Sequence, residues 1–294
     1  MKVIITGSKG QVGRELLRLA PSNLDIYAFD SIHLDITNHK KVSRVIQEIR
    51  PDFLINAAAY TAVDLAENEA DFAFKVNSHA VQNLASEMNN INGILIHIST
   101  DYVFSGTKLG IYNENDEPDP ESIYGQSKLE GEKSIIESIS KYIIVRTSWV
   151  YSPYGKNFLT TMLKLAKKIQ ELEVVSDQIG SPTSARSIAE TIYVIVNFIN
   201  KNQFQSGIYN YSGQPYMSWY DFAKDILERS QNIKILEEKV IVNPILTSEY
   251  EFKAPRPLNS RLDNTKILSS FGINHDHYSE SLDLALNEIK KSSL

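Results

Sequence analysis

The sequence predicts an α/β fold: a doubly wound parallel sheet with a smaller C-terminal lobe. Three observations carry that expectation. Up to about residue 150, short β-rich runs alternate with helical stretches, the pattern of a parallel sheet covered by helices on both faces. The runs are apolar almost throughout, as strands buried on both sides require. Beyond about residue 150 the alternation lapses into Pro, Asn and Gly clusters at SPYGKN, QIGSPTS, SGQPYMS and APRPLNS.

Taken in order, strand KVIIT (2–6) leads into a helix from Gln11 to Leu19, and DIYAFD (25–30) into one from Lys40 to Ile49. FLINAAA (53–59) precedes a long helix from Glu67 to Met88, ILIHIST (94–100) precedes a helix from Ile123 to Ile139, and YIIVRTSW (142–149) closes the series. Right-handed crossovers make this arrangement doubly wound. The apolar helix from Ala185 to Ile199 and the strand GIYNYS are expected to return to the main sheet. The expected division is therefore 1–150 with 184–212 as one body, and 151–183 with 213–294 as the smaller lobe. The acidic stretch NENDEPDPES reads as a solvated loop.

At 294 residues the chain can bury one large core or two unequal ones. It is 42% hydrophobic and 22% charged, ordinary for a globular protein. The formal net charge of -6 is made of mixed signs along the sequence, so no nucleic-acid footprint is present. Absence of cysteine excludes disulfides, a thiolate metal site and a cysteine nucleophile. The first residues, MKVIITGSKGQVG, lack the regions of a signal peptide, and no run approaches the roughly 20 apolar residues that cross a bilayer. A cytoplasmic enzyme with neither nucleic acid nor membrane as partner is the expectation.

The first strand runs into G-S-K-G-Q-V-G and then a helix. At such a βα turn, Gly7, Gly10 and Gly13 let backbone N–H groups approach a pyrophosphate, and the helix N-terminus adds partial positive charge. This gives the sheet a Rossmann-like character. Asp30, 17 residues beyond Gly13 at the end of the second strand, is placed to accept hydrogen bonds from the adenosine ribose. A carboxylate there repels a 2′-phosphate and favours NADH, although Ser31 or His33 could accommodate that phosphate. Asp35 either belongs to the same site or caps the helix that starts near Asn38. Ala57, Ala58 and Ala59 suit a cofactor wall at the third strand's carboxyl edge, with tight helix–sheet packing as the alternative; Thr61 and Val63 follow toward a substrate.

The fourth strand ends in I-S-T-D-Y-V-F, and Tyr124 and Lys128 follow as Y-G-Q-S-K. Positions i and i+4 share a helix face, so phenol and ammonium can converge. A nearby ammonium favours the phenolate and lowers a tyrosine pKa from about 10, which makes Tyr124 a general acid or base. Thr100 at the strand end can hold a carbonyl oxygen beside it, with hydride coming from a nicotinamide.

The glycine turn, Thr100 and the Tyr124/Lys128 pair together resemble the extended short-chain dehydrogenase/reductase superfamily. The segments GQVG, LDITN, INAAAYTAVDLAE, ISTDYVFSG, YGQSKLEGE, RTSWVYS, NFLTTML, VVSDQIGSPT and RPLNSRLD, in that order, resemble more narrowly the dTDP-4-dehydrorhamnose reductase family over about residues 1 to 272. The resemblance implies reduction of the C4 ketone of a dTDP-linked deoxysugar with NADH or NADPH, the last step of dTDP-L-rhamnose synthesis. It implies Thr100, Tyr124 and Lys128 as the catalytic trio, with Lys128 also bonding the nicotinamide ribose. It places Asp101 and Trp149 at the sugar nucleotide, and Gly10, Gln11, Val12, Asp30, Asp35, Ile36, Ala57, Ala58, Ala59 and Ile98 at the cofactor. Arg256, between two prolines, is a candidate partner for the substrate diphosphate. Glu15 and Glu190 match positions where some relatives hold a structural Mg2+ at a dimer interface, so a homodimer is admitted. A dehydratase would carry a second acid after the active-site threonine, where Tyr102 stands. An epimerase, or a non-catalytic nucleotide-binding regulatory subunit, are the remaining readings.

Overall fold

The computed structural model describes residues 1–292. Five strands lie where the apolar runs place them: β1 (Lys2–Thr6), β2 (Asp25–Phe29), β3 (Phe53–Asn56), β4 (Ile94–Thr100) and β5 (Tyr142–Thr147). With the later strand Gly207–Asn210 they form a six-stranded parallel sheet in which β5 lies between that strand and β4, followed by β3, β1 and β2. The order reverses direction between β1 and β3, where open α/β sheets leave a crevice at their carboxyl ends.

Both faces are covered. Helices α1 (Gln11–Arg18) and Ala185–Lys201 pack on one side around Val3, Ile5, Leu16, Ile188 and Ile192. On the other lie α2 (His39–Ile49), Ala80–Asn90 and Ile123–Ser138, around Ile4, Val42, Leu54, Leu84 and Ile135. Side-chain alternation along β1 sends Ile4 to one face and Val3 and Ile5 to the other, which is why its run is apolar without a break.

The long helix expected from Glu67 to Met88 runs from Ala70 to Asn90, after the short helix Val63–Ala66. Its segments Ala70–Phe74 and Ala80–Asn90 are joined through a π-helical turn, Lys75–His79, with no break in the helical backbone. The turn presents Asn77, whose amide accepts from Tyr60 N–H at 2.8 Å and donates to Tyr60 C=O at 3.0 Å and to Ser127 Oγ at 3.0 Å. A Cβ on Gly131 would lie 2.1 Å from the Asn77 carbonyl, so the helix Ile123–Ser138 rides directly on the turn. The π turn thus ties the loop after β3 to the helix that carries Tyr124 and Lys128.

A third cluster, including Tyr151, Leu159, Leu163, Phe222, Leu282 and Leu286, forms the core of the smaller lobe, where Glu171–Val175 pairs in parallel with Ile241–Ile245. Residues 265–273 depart from the expected division. Ile267, Phe271 and Ile273 pack into the first cluster, because Phe271 meets Tyr209 of the edge strand and Phe198 edge-to-face at 5.0 and 5.2 Å. No helix among the described residues is long and apolar enough to cross a membrane.

Candidate active site

The carboxyl ends of β1, β3, β4 and β5 open on one edge of the sheet, and two adjoining clefts of about 530 and 380 Å³ lie there. They share Lys9, Gly10 and Ala57 to Ala59. The larger is lined by Gly10, Gln11, Val12, Thr61, Val63, Ile98, Thr100, Asp101, Tyr124, Lys128 and Trp149. Gly7, Asp30, Asp35 and Ile36 line the smaller. Residues from six separate stretches of sequence are thus brought to one groove.

The glycine turn is shaped for close approach. Gly7 sits at φ +71°, and a Cβ there would fall 2.6 Å from the backbone of Ala57 and Ala58. At Gly13 a Cβ would lie 2.2 Å from the Gly7 carbonyl, so this glycine serves the packing of α1 on the turn and does not line either cleft. Gln11 is tied to the smaller lobe: its amide oxygen accepts from Ser152 Oγ and Asn157 Nδ2, both at 2.9 Å. At the far end Asp30 is held below the usual carboxylate range by Lys9, 2.5 Å away, and by backbone and ring N–H groups of His33. Asp35 does not cap α2. That position belongs to Asn38, whose side chain accepts from Lys41 N–H, while Asp35 accepts from Thr37 N–H two residues on.

At the chemical end Tyr124 lines the larger cleft beside Thr100 and meets the Tyr102 ring edge-to-face at 5.5 Å. Thr100 donates to Asp101 Oδ1 at 3.0 Å and accepts from Tyr102 N–H. Burial pushes the Asp101 carboxyl up to about 6, against the hydrogen bond from Thr100. The expected lowering of the Tyr124 pKa by Lys128 is overturned. Burial raises it above the ordinary tyrosine value, and no lysine charge offsets this. The reason is geometric: Lys128 Nζ turns away, to Ile98 C=O at 2.7 Å and His97 Nε2 at 3.0 Å. Burial lowers Lys128 itself to about 8.

Trp149 stands at φ +48° with its indole over Gly180, where a Cβ would come within 2.4 Å of the ring. It stacks on Trp219 with centroids 3.5 Å apart, giving the larger cleft a double indole wall. Arg256 is not free for a diphosphate: it pairs with Asp64 at 2.7 Å and donates to Tyr102 Oη at 3.4 Å. Glu15 pairs with Arg18 and Glu190 with Arg186, and among the described residues no group of three or more His, Asp or Glu could hold a metal ion. The two carboxylates therefore do not make a hard-cation site within this chain.

Lys9, Asn56, His97, Tyr102 and Trp219 were missed by sequence reasoning. Two carried a signal. His97 is a polar residue inside an otherwise apolar buried strand, and Lys9 stands between two glycines of the phosphate turn. Nothing local marked Trp219, which reaches Trp149 from 70 residues away.

The family model described as the RmlD substrate binding domain matches residues 1–291. The chain is 44% identical, over 96% of its length and 97% of the relative's, to a dTDP-4-dehydrorhamnose reductase of Aggregatibacter actinomycetemcomitans. A solved dTDP-4-dehydrorhamnose reductase of Bacillus anthracis in complex with NADP superposes with a TM-score of 0.90 at 40% identity, covering 98% of this chain and 99% of that one. Another from Clostridium acetobutylicum gives 0.90 at 37% identity, covering 99% and 100%.

Proposed function

The chain belongs to the RmlD substrate binding domain family, and we propose that it reduces the C4 ketone of dTDP-4-dehydro-L-rhamnose with NAD(P)H, yielding dTDP-L-rhamnose. The observation that carries this reading is the meeting of Thr100, Tyr124 and Lys128 beyond the end of β4 in one cleft, which adjoins the cleft at the Gly7/Gly10 turn. The glycines fit a dinucleotide because the space a Cβ would fill is already closed by backbone on one side. When bound, the reduced nicotinamide supplies hydride to the ketone carbon. This chain's residues handle the oxygen: Thr100 positions it and Tyr124 gives it a proton. A phenol of raised pKa is fully protonated at neutrality, and it remains a far stronger acid than an alcohol, whose pKa lies near water's value of about 15.7. Those properties suit reduction. Trp149 and Trp219 would lie against the substrate, and the glycine turn with Asp30 against the adenosine half of the cofactor.

Mixing the protein with dTDP-4-dehydro-L-rhamnose and either reduced cofactor should consume the cofactor stoichiometrically, read as loss of its absorbance. No oxidation with either one would end this reading. Two further results are expected. Asp30→Asn removes the carboxylate that faces a 2′-phosphate and leaves Lys9 and His33 free to meet it. The ratio of kcat/KM with NADPH to that with NADH should rise about tenfold, equivalent to about 1.4 kcal/mol; an unchanged ratio would put the discrimination elsewhere. Trp219→Ala leaves Trp149 without its stacking partner. KM for the sugar nucleotide should rise about two- to tenfold with kcat little changed, as expected for loss of an aromatic contact worth roughly 0.5–1.5 kcal/mol.

A further inference from the structure

Behind Lys128 a chain of buried polar side chains crosses three strands. The parallel register sets Thr6 of β1 beside Asn56 of β3, and Asn56 beside His97 of β4. All three are wholly buried. The Asn56 amide oxygen accepts from Thr6 Oγ1 at 2.6 Å and from the Ala58 backbone N–H at 3.2 Å. A backbone N–H can only donate, so the oxygen is committed to that side and the amide NH2 faces His97 Nδ1, 2.9 Å away. An amide NH2 also only donates. His97 Nδ1 must then accept, and the single proton of the neutral ring sits on Nε2. Burial keeps the ring neutral by holding its pKa well below the ordinary histidine value.

Nε2–H points at Lys128 Nζ, 3.0 Å away. An ammonium has no lone pair to accept that hydrogen, whereas a neutral amine has one. We infer that Asn56 and His97 store Lys128 as a neutral amine in a withdrawn position, and that protonation releases it from His97 into the cleft beside Tyr124. The inference rests on Tyr124 and Lys128 being the reductase centre. Asn56 and His97 are positioning residues in it, acting only through Lys128.

The surrounding charges set the balance. Glu132, one turn on in the same helix and paired with Arg146 of β5, favours the ammonium; burial opposes it more strongly and brings Lys128 down to about 8. Tyr124 and, after β4, Asp101 face the same cleft, while β3 and the π turn contribute Asn56 and Asn77, which do not titrate. The stored and released forms therefore exchange just above neutrality.

Nitrogen NMR of the cofactor-free protein labelled with 15N-histidine tests the storage form, with His97→Gln identifying the His97 signals among the six histidines. At pH 9, His97 should carry its proton on Nε2 with Nδ1 bare. A proton on Nδ1 would overturn the inference. Asn56→Asp offers Nδ1 an acceptor in place of a donor, which moves the ring proton to Nδ1 and gives the ammonium a lone pair on Nε2. The alkaline fall of kcat/KM should then move up by one pH unit or more, a tenfold gain in proton affinity. An unmoved limb in a folded Asn56→Asp protein would equally overturn it. Should that variant not fold, His97→Gln supplies an amide oxygen to the ammonium and must give the same upward shift. A wild-type protein that reduces no ketone would end the proposed reaction, and the nitrogen spectrum would still decide the tautomer.

Discussion

Replacement of Tyr124 by phenylalanine should lower kcat by a factor of about 10²–10⁴, the usual contribution of a positioned general acid. Affinity for NADH should stay nearly unchanged. Phenylalanine keeps the ring, its edge-to-face contact with Tyr102 and the closure of the cleft; it removes only the hydroxyl. Thr100 retains its bonds to Asp101 and to Tyr102 N–H, so it keeps its position. Hydride transfer would then leave an oxyanion with no acid beside it to give a proton, which raises the barrier without weakening ground-state binding. Steady-state turnover and a cofactor fluorescence titration on the same preparation separate the two effects. Undiminished turnover would place the proton donor elsewhere.

Replacement of Glu132 by alanine should cost about 3–5 kcal/mol of stability, the penalty for leaving a buried charge without its partner. Arg146 and Glu132 are each 1% exposed. The guanidinium is held by its carboxylate through Nε at 3.0 Å and Nη2 at 2.6 Å, and it lies over the Phe104 ring at 4.9 Å. No water replaces the lost carboxylate at that depth without opening the packing between β5 and the catalytic helix. A loss of this size is about a fifth or more of the stability of a typical domain of about 5–15 kcal/mol. Urea unfolding measures it. The double variant Glu132→Leu/Arg146→Met should recover most of the loss, because an apolar pair of similar volume carries no desolvation penalty. A single-variant loss under about 1 kcal/mol would mean that water reaches the pair.

Much of the fold was legible because its rules are local. An apolar run with no alternation makes a strand buried on both sides, and β1, β3, β4 and β5 fell where their runs are. The helix after β3 was legible too, but not the π turn inside it, where Asn77 bonds back to Tyr60, 17 residues away. That Ile267 and Phe271 join the cluster on the main sheet was hidden for a similar reason. Their partners Phe198 and Tyr209 sit on a helix and an edge strand that the sequence places but does not orient toward them.

The sequence by itself determined where the chemistry would be. Parallel strands with right-handed crossovers bring every βα turn to one edge, so the glycine turn, the three alanines, Thr100 and the helix bearing Tyr124 had to meet there. Spacing of four residues also put Tyr124 and Lys128 on one helix face. Only the tertiary structure decided what those groups do at their tips. Lys128 turns to His97 and Ile98 instead of Tyr124, Arg256 is captured by Asp64, and Trp149 finds Trp219. Backbone periodicity acts over a few residues, whereas the end of a long polar side chain goes to whichever donor or acceptor the register of distant strands sets within about 3 Å.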